Sequence, residues 1–198
     1  MIVELLVLFI MFILPVILCR YKIIGFNYRF LVLLMLSLLA AAFSIFYGWS
    51  LMTLGITFNN LSIDLVPYIL ITAVASMALI FIYKKHLKPL PIIFSTLFMI
   101  LLISFLQEFV YRGFMMPVLG LLTKNYFLII LINVLLFWLV HTIYINDLKS
   151  HIIILAGGLI FAIMYILYPN LILISISHAV LNAIAVYSCG LYKKEFRA

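Results

Sequence analysis

Charge is scarce in this chain. Only 9% of its 198 residues are Asp, Glu, Lys or Arg, five of them acidic, against 69% hydrophobic. A soluble fold of this length leaves much of its surface in water and could not hide that much apolar side chain. Cysteine is nearly absent. Cys19 and Cys189 are too few for a disulfide framework and have no metal-type spacing, so they read as small packing residues near helix ends. Strict alternation of apolar and polar residues is missing, which excludes a transmembrane β-barrel. No soluble domain, linker, low-complexity tract or internal repeat interrupts the chain. The basic residues form no compact domain despite a net charge of +7, which excludes a nucleic-acid partner.

What is present is a succession of long apolar runs. Inside lipid every backbone amide must pair within its own segment, so these runs are helices. Seven are predicted, over about 2–19, 30–54, 65–83, 92–116, 126–145, 151–168 and 170–190, each close to the ~20 residues that cross a bilayer. The last break rests on Tyr168, Pro169 and Asn170, where proline stops one helix and asparagine suits a turn. The stretch LGITFNNLSIDL, 54–65, is expected to hold a short interfacial turn. The expected fold is therefore all-α: a polytopic membrane bundle of seven transmembrane helices around a polar intramembrane cavity. Residues 1–91 supply the first three helices, 92–190 a polar-motif core, and 191–198 a basic tail, LYKKEFRA. The first helix has Glu4 where a signal peptide would be basic, and no small-residue cleavage site, so it reads as a retained anchor.

The charges sort to one side. Arg20, Lys22, Arg29, Lys84, Lys85, Lys88, Lys149, Lys193, Lys194 and Arg197 share one face of a seven-helix arrangement, and Lys124 lies on the other. The excess of Lys and Arg on cytoplasmic loops then places the N-terminus outside and the C-terminus in the cytoplasm.

Six polar residues stand out within the spans: Gln107, Glu108, Arg112, His141, His178 and Asn182. Ionisable groups at such depth face a protein interior or a wet cavity, and are functional candidates by default. Glu108 and Arg112 are four apart in SFLQEFVYRGFMMPVLG, as are Phe137 and His141 in FWLVH, and His178 and Asn182 in HAVLN. Residues four apart share a helix face, so three helices each present a polar stripe. Gln107 points about 100° away from Glu108 around the same helix. Taken singly, each has a structural reading: an ion pair for Glu108 and Arg112, a carbonyl-bonded imidazole for each histidine, interhelical glue for Asn182. Together they exceed what packing requires. Ser175, Ala179 and Ala183, and the pair Gly158 and Ala162, are small residues that let helices approach closely.

A histidine beside a carboxylate can activate water as a general base, and a second histidine with an amide can donate to an oxyanion. Zinc held by Glu108, His141 and His178 is the rival, although no HExxH pair is present. A nucleophilic serine (Ser104, Ser175 or Ser177) is weaker, because no Gly-x-Ser-x-Gly turn surrounds any of them. A small transporter using the same stripes is the most distant reading, since no inverted repeat or second charge relay is visible.

The order Glu-x-x-x-Arg, Phe-x-x-x-His, His-x-x-x-Asn, with YRGF after the first motif and PNLILISISHAVLN around the third, resembles the CPBP family over about residues 100–186. These are the CAAX proteases and bacteriocin-processing enzymes, also called the Abi family. The resemblance implies an intramembrane peptidase of the bacterial cell membrane with a conical cavity, needing no cofactor and acting on a hydrophobic or membrane-anchored peptide. It implies that His141 pairs with a glutamate on the water, that His178 and Asn182 form the oxyanion site, and that Arg112 anchors the first motif, with Phe137 supporting. One departure stands out: the family's first motif begins with two glutamates, and here the first is Gln107. Two expectations follow. Either Glu108 acts as base with His141 while Gln107 positions the water, or the chain is a catalytically impaired relative that serves in bacteriocin immunity or as a membrane regulator.

Overall fold

The computed structural model describes residues 2–25, 28–59, 61–83, 94–143 and 147–187. Among them are seven helices: α1 (Ile2–Arg20), α2 (Arg29–Phe46), α3 (Leu61–Tyr83), α4 (Phe94–Leu122), α5 (Tyr126–His141), α6 (Leu148–Leu167) and α7 (Leu171–Tyr187). No strand occurs among the described residues. Five of the helices are long and apolar enough to cross a membrane. The other two, α5 with 16 residues and α7 with 17, are also apolar. At that length they run roughly 24–26 Å, somewhat less than the ~30 Å hydrocarbon core. Large apolar side chains cover the outside, among them Leu38, Phe46, Val66, Leu70, Phe81 and Phe98. The chain is an integral membrane helix bundle. The basic tail 191–198, Cys189 and Lys84, Lys85 and Lys88 lie outside the described residues.

Among the described residues the expected boundaries hold to within a few residues except in the second and fourth helices; those expected at 92, 145 and 190 lie outside the described residues. The second was expected to run to 54 and stops at Phe46. Gly48 takes a left-handed φ of +65°, Trp49 N–H bonds the Ser44 carbonyl at 2.9 Å, and Gly48 N–H bonds that of Ile45 at 2.9 Å. Those two bonds close the last turn and turn the chain away. The loop that follows folds back over the bundle: the Gly55 carbonyl accepts from Leu171 N–H at 2.7 Å. Gly113 lets this loop approach, since a Cβ there would lie 3.1 Å from the Leu54 carbonyl. The fourth helix, expected to end at 116, continues to Leu122. Asn125 then starts α5 by accepting from the N–H groups of Phe127 and Leu128, and Asp147 starts α6 by accepting from Ser150 N–H.

Two helices widen to π geometry, α1 over Phe9–Ile13 and α4 over Phe109–Met115. Each stretch lies just ahead of a proline, Pro15 or Pro117. Proline has no N–H, so a carbonyl one turn upstream loses its usual donor and the winding relaxes. Every residue from Glu108 to Met116 is buried, which makes this part of α4 the centre of the bundle. The two widened stretches touch through Phe12 and Tyr111, whose ring centroids are 5.3 Å apart. Around this axis α4 packs on α7, α5 on α6, and α3 on α7. The α4–α7 contact is where the small residues of α7 act: Ala179 clusters with Ile100 and Val186, and Ala183 packs against that cluster.

Candidate active site

A cavity of about 190 Å³ lies toward the end of the bundle where α1 and α5 finish and α2 begins. Polar residues from three helices line it: Gln107 of α4, His141 of α5, and His178 and Asn182 of α7. The rest of the wall is largely apolar, with Phe12 and Val16 from α1 and Leu33 and Leu36 from α2; Cys19 and Arg29 also line it. The two imidazoles are neighbours. Both pack on the Phe137 ring, at centroid distances of 4.6 Å for His141 and 6.1 Å for His178.

Glu108 is not part of the lining. It is fully buried, and its Oε1 accepts from His178 Nδ1 at 2.5 Å. Arg112, also fully buried, approaches the same carboxylate: Nη1 donates to Oε1 at 3.4 Å, and Nε lies 3.3 Å from Oε2. The guanidinium donates Nη2 to the Gly158 carbonyl at 3.2 Å and lies 4.4 Å over the Phe137 ring. A lone charge here would be very costly, and the pair neutralises both. Gly158 is small for a reason: a Cβ on it would come within 3.2 Å of the Phe137 ring.

The hydrogen-bond partners assign the tautomers. An ionised carboxylate and a carbonyl can only accept, so the nitrogen facing each carries the proton. His178 donates Nδ1–H to Glu108, and His141 donates Nδ1–H to the Phe137 carbonyl at 2.7 Å. In the neutral form each imidazole then has its acceptor nitrogen at Nε2.

Three supporting residues escaped the sequence reading. Ser104, considered there only as a weak nucleophile, is fully buried, and its Oγ accepts from Asn182 Nδ2 at 3.1 Å. Asn133, fully buried in α5, donates Nδ2 to the Tyr111 carbonyl at 2.6 Å within the π-helical stretch. Tyr111 lines the cavity and packs edge-on against Phe137, with centroids 5.2 Å apart. An asparagine inside the apolar run LINVLLF was a readable signal for Asn133. Nothing in the sequence marked Ser104 as a partner of Asn182.

The expected residues thus fall into two layers. Gln107, His141, His178 and Asn182 meet at the cavity, while Glu108, Arg112 and Phe137 stand behind it. Of the two expectations, one had Glu108 on the water beside His141 and the other had the site without its base. The offset between adjacent helix positions turns Glu108 instead toward His178 and Arg112, and puts Gln107 in the wall. The zinc alternative finds no ligand set: among the described residues no three His, Cys, Asp or Glu side chains group as a metal site. The Glu108 carboxylate is directed at the Nδ1–H of His178, and the His141 Nδ1–H at a backbone carbonyl.

In comparison with known proteins, residues 88–184 match the family described as Type II CAAX prenyl endopeptidase Rce1-like. No match was found among curated proteins or among solved structures.

Proposed function

The chain belongs to the CPBP family, the CAAX protease and bacteriocin-processing group, and from that premise we propose that it is an intramembrane endopeptidase that hydrolyses a hydrophobic or membrane-anchored peptide. The observation that carries the reading is the convergence of Gln107, His141, His178 and Asn182 from three helices on one cavity whose other walls are apolar. Peptide hydrolysis needs a held water, a proton acceptor and donors for the oxyanion. The polar side of the cavity offers all three kinds of group, and the apolar side offers a berth for substrate side chains. Glu108 and Arg112 support the reading as a buried pair that fixes His178. The cavity sits at the end of the bundle that carries Arg20, Lys22 and Arg29. By the positive-inside argument that end is cytoplasmic, and substrate enters from there.

The test is a cleavage assay with purified protein in detergent, using apolar peptides. His141→Ala and His178→Ala are each expected to lower turnover by about 10²-fold or more. Unchanged turnover in both variants would remove the hydrolytic role.

One observation favours a second reading. The residue that lines the cavity at the head of the first motif is Gln107, and an amide does not take a proton from water near neutral pH. A relative lacking its base would bind a peptide or partner helix without cleaving it, in immunity or as a membrane regulator. Robust cleavage by the wild type excludes that reading.

A further inference from the structure

We propose that the general base of this site is His178, held by Glu108, and that the carboxamides of Gln107 and Asn182 receive the oxyanion. The reaction in this proposal is the one proposed above. The dyad itself stands on geometry.

A base must reach the cavity and accept a proton. Gln107 reaches it and cannot accept. Glu108 can accept, but it is fully buried between His178 and Arg112. Both imidazoles line the cavity, and they differ in the group that meets Nδ1. His141 rests on a neutral carbonyl at 2.7 Å, and His178 on a carboxylate at 2.5 Å. A carboxylate on Nδ1–H fixes the tautomer that leaves Nε2 unprotonated, and it stabilises the imidazolium once a proton arrives. Arg112 lies against the same carboxylate, Nε 3.3 Å from Oε2, so the charge that balances Glu108 is already in place.

The same tautomer removes His178 from the ground-state donors, since its Nε2 has no hydrogen until it takes one. The N–H donors on the polar wall are then amides. Asn182 uses one Nδ2 hydrogen on Ser104 Oγ at 3.1 Å and keeps a second. Gln107 brings two more. A water hydrogen-bonded to His178 attacks the peptide carbonyl carbon, and its proton passes to Nε2. The carbonyl π electrons move to oxygen, where Gln107 and Asn182 donate to the resulting anion. When the oxyanion collapses, the C–N bond breaks and the Nε2 proton goes to the leaving nitrogen. An acid and an amine result, and the dyad is restored. Glu108 and Ser104 are positioning residues in this scheme.

The test does not depend on turnover alone. Purified full-length protein is treated with an apolar peptidyl chloromethyl ketone, which alkylates a nucleophilic imidazole nitrogen with loss of chloride, and the adduct is located by mass spectrometry. The expected product is an adduct on His178 that forms about tenfold or more faster than any on His141, and is slowed about tenfold or more by Glu108→Gln. An adduct on His141 alone, or on neither histidine, overturns the proposal. The wild-type result decides even if Glu108→Gln, which strands Arg112, does not fold. In the cleavage assay, Glu108→Gln is expected to lower kcat by about 10²–10⁴-fold with KM nearly unchanged, and Glu108→Asp to restore part of it. A wild type that labels at His178 yet cleaves no peptide leaves the dyad standing and ends the peptidase reading. Cleavage that survives His178→Ala but not His141→Ala does the reverse.

Discussion

Glu108 and Arg112 stabilise this protein only as a pair. Each is fully buried, and each is the other's principal charge partner. Arg112→Met leaves a carboxylate alone in the bundle and is expected to cost ~3–5 kcal/mol, read as a large fall in Tm in detergent. Adding Glu108→Leu to that variant removes the stranded charge, and most of the loss should return. Turnover should not return with it, because His178 has lost the carboxylate at its Nδ1. Gln107→Glu probes the facing layer. With His178 as base, the new carboxylate is redundant and raises kcat less than about tenfold. With an impaired site, it supplies the missing base and raises kcat by about 10²-fold or more. At this scale the identity of the polar residues was legible, because ionisable groups in an apolar helix stand out against it. Their layering was not. Gln107 and Glu108 are adjacent in sequence, and only the packing of α4 against α7 decides which of two directions 100° apart opens on a cavity.

The helices began and ended where local chemistry is plain and drifted where it is subtle. Pro169 and Asn170 marked a real break, and Asn170 Oδ1 accepts from Leu173 N–H at 3.1 Å in the first turn of α7. The end of α2 was missed because hydropathy continues past it, although the glycine that stops it stands at 48. The end of α1 has the same bonding around a different residue: Lys22 takes φ 58°, with Ile23 N–H on the Leu18 carbonyl at 2.9 Å and Lys22 N–H on that of Cys19 at 3.0 Å. A lysine pays a steric penalty there that glycine does not, so Lys22→Gly is expected to stabilise by ~1 kcal/mol, seen as a modest rise in Tm without change in turnover. Gly158 gives the opposite expectation. In Gly158→Ala the new methyl meets Phe137, on which both imidazoles and Arg112 rest. A ring displaced by a few tenths of an ångström moves both imidazoles before it unfolds anything. Turnover should fall about tenfold or more while Tm changes little.

The family match covers 88–184, but the cavity extends beyond it. Much of its apolar wall comes from α1 and α2, through Phe12, Val16, Leu33 and Leu36. That contribution could not be read from the sequence, because α1 and α2 are apolar on every face and their pattern does not say which side meets lipid and which meets protein. The widening of α1 ahead of Pro15 brings Phe12 onto Tyr111, so the first helix is built into the same wall as the motif residues. If this wall receives the side chains of a peptide, filling it should harm binding and spare chemistry. Leu33→Trp on α2 and Val16→Trp on α1 are therefore expected to raise KM by about ten- to hundredfold for bulky apolar peptides. kcat should stay near the wild-type value, since none of the four polar residues proposed to act on the peptide is altered. Smaller peptides should lose less, and that size dependence is what separates a substrate berth from a merely structural contact. A uniform loss of kcat across peptides of every size would mean that α1 and α2 hold the polar residues in place and read nothing of the substrate.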